Sequence, residues 1–101
     1  MTIAAAIPVS DAKLLRCADM LEASSCTMHG SAYQLARKGY KIMRLMAQSR
    51  EMDADDVVTL QKLIPEMRYF SETIARPGRD RLRIAARLIE RVLEAHTHQL
   101  Q

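Results

Sequence analysis

The stretch Asp53-Ala-Asp-Asp-Val-Val-Thr-Leu-Gln-Lys-Leu-Ile-Pro-Glu-Met-Arg-Tyr-Phe-Ser-Glu-Thr-Ile-Ala75 decides the fold class of this chain. Val57, Leu60, Ile64, Met67, Ser71 and Ile74 recur at alternating steps of three and four. That rhythm marks one face of an α-helix. Pro65 lies in the middle of it, and proline removes a helical hydrogen bond and crowds the carbonyl four residues back. A true break would reset the phase. The phase runs on, so the reading is one helix kinked at Pro65. Asp53 is its N-cap, and Asp55 and Asp56 sit in the first turn, where the helix dipole favours negative charge. Helix 3 is predicted to end near Ala75.

Working outward, Arg76-Pro77-Gly78-Arg79 has Pro and Gly where a type II turn wants them. Helix 4 is predicted over 79–97, with Leu82, Ala85, Ile89, Val92 and His96 on its seam and Leu88 and Leu93 beside it. Upstream, Ser31-x-x-Gln34 reads as a capping box opening helix 2 over 31–51. Its apolar face is wide, with Leu35, Gly39, Ile42 and Met46 in one row and Ala36, Tyr40, Met43 and Ala47 in the next. Ser10 caps helix 1 over 11–28, which carries Leu14, Ala18, Leu21, Ser25 and Met28, and Gly30 stops it. Hydroxyls in Ser24-Ser-Cys-Thr27 compete for backbone bonds and weaken that helix's end. A rival reading fuses helices 1 and 2 through Gly30. Residues 1–9 precede any helix start and read as a flexible N-terminal arm; 10–101 form a single helical domain.

Composition agrees. Hydrophobic residues make up 49% of the 101, yet there are only three Tyr and one Phe, so the core must be built from Leu, Ile, Met and Ala. Three Gly and three Pro leave little turn chemistry, hence few and long elements. The expected fold is all-α: a four-helix antiparallel bundle or paired helical hairpins. Helices 2 to 4 have wider apolar faces than four helices need, so completion by homodimerisation is expected.

The net charge of +3 is unevenly placed. Residues 31–52 hold five cations against one acid, and 53–75 hold five acids against two cations. Such alternating blocks suit self-complementary packing or a protein partner of mixed charge better than bulk nucleic-acid binding. Cys17 and Cys26 are nine residues apart, which on one helix is about 13 Å of rise and about half a turn of rotation. A disulfide within that helix is therefore excluded, which fits a reducing compartment. The N-terminus lacks a basic region and a long apolar run, and no segment reaches the length of a membrane span. These features predict a cytoplasmic protein.

Tyr33, Arg37, Tyr40 and Arg44 follow steps of four, three and four along helix 2 and so share a face. Tyr and Arg are the residues most enriched at binding hot spots. The strip is read either as a partner-binding face or as tyrosines rimming the core beside solvated arginines. Seven methionines offer adaptable contact surface or core filler. Arg79, Arg83, Arg87 and Arg91, joined by Arg76 and Arg81, form a ridge on helix 4 that reads first as a solvated or salt-bridged face, and otherwise as a surface for an acidic partner or phosphates. Asp80, Glu90 and Glu94 interrupt it, and no aromatic residue lies close enough for base stacking. Leu35-Ala-Arg-Lys-Gly39 hints at a helix-turn-helix but lacks a following recognition helix. Cys26-x-x-His29 and His96-Thr-His98 supply zinc-type ligands, but histidines two apart on a helix diverge by about 200°. Cys26 is read as an inert buried thiol. No phosphate loop, nucleophile elbow or paired carboxylates appear, so no enzyme activity, metal or cofactor is expected.

In size and pattern the chain resembles the small all-helical anti-activators with which bacteria restrain LuxR-type quorum-sensing regulators. The resemblance spans the whole chain as architecture, with no diagnostic motif. It implies a dimeric, stoichiometric inhibitor that docks on the regulator and blocks its dimerisation and DNA binding, with Tyr33, Arg37, Tyr40 and Arg44 as the docking surface. The alternatives are a small nucleic-acid-binding protein using Arg79, Arg83, Arg87 and Arg91, and a helical chaperone or structural subunit.

Overall fold

A computed structural model describes residues 9–99, with side chains to 96. All regular secondary structure among them is helical: α1 Asp11–Ser25, α2 Gly30–Gln48, α3 Ala54–Ser71 and α4 Gly78–Gln99. Residues 1–8 of the expected arm lie outside the described residues. Val9 is buried against the core, and its carbonyl accepts from the Arg50 guanidinium at 2.7 Å.

The helix starts follow local chemistry in two cases. The Lys13 N–H donates to Ser10 Oγ at 3.1 Å, capping α1. At α3 the Asp56 N–H donates to Asp53 Oδ1 at 2.9 Å, and Asp56 Oδ2 accepts from the Asp53 N–H at 3.1 Å. That is a reciprocal capping box with aspartate in the place usually held by Glu or Gln. Helix α3 then runs unbroken through Pro65, as the persistent phase requires.

Elsewhere the bounds differ from expectation. Helix α1 ends at Ser25, three residues early. The Ser25 hydroxyl donates to the Glu22 carbonyl at 2.6 Å, the Thr27 hydroxyl to that of Ser24 at 3.0 Å, and the final backbone bonds tighten into turns. The fused reading is excluded, because 26–29 is not helical and Gly30 has φ +60°. That left-handed conformation suits glycine alone without strain. The Ser31–Gln34 capping box does not form: the N-cap is His29, which makes no side-chain cap bond. Helix α2 stops at Gln48 and α3 at Ser71, each short of expectation. The second turn is not type II, since Gly78 has no positive φ; the Arg76–Pro77 peptide is cis and Gly78 begins α4.

Cross-helix pairs give the topology. Arg50 meets Asp11, and Arg44 meets Asp19 and Glu22, so α2 runs antiparallel to α1. Arg68 meets Glu90 and Ser71 meets Arg83, so α4 runs antiparallel to α3. Two hairpins result, α1–α2 and α3–α4, which carry the most extensive packing. Contacts between α1 and α4 join them on one side. The α2–α3 contact on the other side is thinner. The bundle measures 45 × 25 × 24 Å.

The core sits between the hairpins. Leu14, Leu21, Met43, Met67, Leu82 and Ile89 are fully buried. Met28, Met43, Met46 and Met67 are core residues, whereas Met20 is exposed. Gly39 marks a close approach: a Cβ there would lie 3.0 Å from Met67 Cε and 3.2 Å from Leu21 Cδ2. The missing side chain lets α2 press onto α1 and α3.

Candidate protein-binding surface on helix α2

Helix α2 presents its Tyr33–Arg44 strip along the edge that faces α1, and packing divides the strip in two. Tyr40 is buried, with 8% of its surface exposed. The Arg44 guanidinium lies 5.0 Å from the Tyr40 ring centroid. One Arg44 nitrogen donates to Glu22 Oε1 at 2.6 Å and to Asp19 Oδ1 at 3.0 Å. These bonds raise the Arg44 pKa. Chiefly through its hydrogen bond, Arg44 in turn holds the Glu22 carboxyl below the ordinary glutamate range. Tyr40 and Arg44 thus lock α2 onto α1. Tyr33 is half-buried against the core, and Arg37 is exposed with no hydrogen bond or ion pair among the described residues. The accessible part of the strip is Arg37 and the outer edge of Tyr33.

Sequence reading passed over the outer face of the same helix. Lys38, Lys41 and Leu45 follow steps of three and four, so they line one row. Neither lysine has a partner among the described residues. Leu45 is 63% exposed. Helix α2 contains no Asp or Glu, and that absence is the signal by which this face could have been found. Beside the row, where α2 and α3 pack thinly, lies a groove of about 370 Å³. Ile42, Leu45, Met46, Met52 and Leu60 form its apolar lining, with Glu51 and Asp56 at its rim.

The arginine ridge of α4 is largely engaged within the molecule. Arg79 Nε donates to the Ile74 carbonyl at 3.2 Å, and Arg83 Nε to Ser71 Oγ at 3.2 Å. Arg81 donates to Ser24 Oγ at 2.6 Å and to the Met20 carbonyl at 3.3 Å, and Arg76 pairs with Asp80 at 3.6 Å. Arg87 and Arg91 alone of the six make no such bond among the described residues. Most of the ridge therefore ties α4 to the end of α3 and to α1.

The zinc-type residues are not brought together. Cys26 and His29 lie in the α1–α2 turn beside the start of α4, where Met28 abuts Gly78. His96 is eighteen residues along α4 from Gly78, about 27 Å of helical rise away. The His98 side chain is outside those described. Among the described residues no group of three His, Cys, Asp or Glu could hold a metal ion. Cys26 is exposed, contrary to the buried thiol expected, because it falls just past the end of α1. Cys17 is the buried one, and burial pushes its thiol pKa up. A second cleft of about 640 Å³ opens between the two hairpin turns. Its polar side chains do not converge: the Thr27 and Thr73 hydroxyls donate to nearby carbonyls, and Arg76 pairs with Asp80.

No protein-family model matches this chain, and comparison with curated proteins and with solved structures gives no significant match. No helix among the described residues is long and apolar enough to cross a membrane.

Proposed function

We propose that this chain is a non-enzymatic regulatory protein of the bacterial cytoplasm that acts as a homodimer and holds a protein partner on the accessible edge of α2. The partner we propose is a LuxR-type transcription regulator, restrained by blocking its own dimerisation and hence its binding to DNA. One observation carries the reading. Arg37 is solvent-facing and unpaired among the described residues, stands one turn from the half-buried Tyr33, and belongs to a helix with no acidic residue to quench it. A planar guanidinium beside an aromatic edge offers stacking and forked hydrogen bonding to a protein surface. Tyr40 and Arg44 support this edge by anchoring α2 rather than by touching the partner.

The test uses the purified protein and the LuxR-type regulator encoded in the same genome. Added in stoichiometric excess, the wild type is expected to abolish the regulator's operator gel shift. Arg37→Glu is expected to leave the shift intact while its circular-dichroism melt matches the wild type. A gel shift that persists under excess wild-type protein removes the reading.

A further inference from the structure

The α2–α3 side combines three features. Leu45 projects into solvent at the edge of an apolar groove. Lys38 and Lys41 lie on the N-terminal side of Leu45 and have no partners among the described residues. Glu51 and Asp55 lie on its C-terminal side, exposed, and their carboxylates are likewise unpaired among the described residues. Asp56 differs, since its carboxylate is held in the α3 capping box.

We infer that this face is a two-fold self-association surface, in which Leu45 of each copy seats in the α2–α3 groove of the other. A two-fold axis passing near Leu45 brings positions before it in one copy opposite positions after it in the second. Lys41 stands about 6 Å and Lys38 about 10 Å along the helix from Leu45. The axis therefore lays the Lys38 and Lys41 end of one copy toward the Glu51 and Asp55 end of the other. The charge pattern selects the occupant. A uniformly acidic partner would set like charge against Glu51 and Asp55, and a uniformly basic one would do so against Lys38 and Lys41. A second copy supplies the opposite sign at both ends and an exposed leucine for the groove between them. This inference names the surface of the homodimer proposed above. The groove and Leu45 lie away from the α1-facing edge with Arg37, although Lys41 stands one turn from it; sedimentation reads self-association and the operator gel shift reads regulator binding, so the two can fail separately.

Sedimentation equilibrium across a dilution series tests it on the full chain. The wild type is expected to reach twice its 11.4 kDa chain mass. Leu45→Asp is expected to weaken the dimer by about 30-fold or more, the loss typical of an interface anchor. Its monomer should stay folded by circular dichroism, because Leu45 is largely outside the core. Lys41→Glu and Glu51→Lys should each weaken the dimer, and the two together in one chain should restore it. A wild type that stays monomeric, a dimer indifferent to Leu45→Asp, or a double reversal no tighter than the single ones overturns the assignment.

Discussion

Arg44 shows how one side chain's role depends on what packs beside it. On α2 alone it is the end of a tyrosine–arginine strip; in the folded chain it stacks on Tyr40 and bridges to Asp19 and Glu22. All three charged groups keep solvent contact, so the lock contributes orientation more than bulk stability. It leaves a pH signature. Folding holds Glu22 below its ordinary pKa of 4.5, because Arg44 hydrogen-bonds to the charged form. The unfolded chain therefore binds more protons in the acid range. This contribution is fully present above the unfolded value and is lost as pH falls through the lower folded value. Glu22→Gln is expected to lower the melting temperature at neutral pH and to flatten the decline of stability in acid, measured as melting temperature against pH. An acid limb that Glu22→Gln leaves unchanged would show that the contact does not form in solution.

At the scale of elements, the ends of helices are decided by single side chains. Helix α3 begins where Asp53 and Asp56 exchange bonds with each other's backbone. Asp53→Ala removes the N-cap acceptor and is expected to cost about 1 kcal/mol. Urea denaturation should show this as a lower midpoint with an unchanged slope. The α1–α2 junction shows the opposite case. Its serine and threonine hydroxyls bond carbonyls within α1's last turn, and Gly30 then turns the chain with φ +60°. Both signals were visible as residue types. The residue at which the helix gives way was not, because competing local bonds differ by less than tertiary packing adds. The absent Ser31–Gln34 box has the same cause: α2 begins at Gly30 with His29 as its N-cap, two residues before the N-cap position that Ser31 would have held.

Across the whole molecule, the two hairpins meet tightly where Gly39 of α2 faces Met67 of α3 and Leu21 of α1. Leu21 and Met67 close over that glycine and are fully buried. Leu21→Ala is expected to destabilise by about 3–5 kcal/mol, through lost burial and the cavity left between helices. A domain of this size has only about 5–15 kcal/mol in total, so the variant should melt far below the wild type by calorimetry. In the sequence Gly39 reads as a member of the apolar Leu35–Met46 row; that it admits a second and a third helix appears only when Leu21 and Met67 pack on it.

By itself the sequence determined four helices, the continuity of α3 through Pro65, and which faces are greasy, because helical periodicity and capping act over a few residues. Only the tertiary structure decided which charged and aromatic groups stay accessible. It drew Tyr40 and Arg44 into the α1–α2 contact, engaged most of the α4 arginines, and left Arg37, Lys38, Lys41 and Leu45 facing outward. That partition depends on which helix lies beside which, and a side chain's neighbours across a bundle are dozens of residues away along the chain.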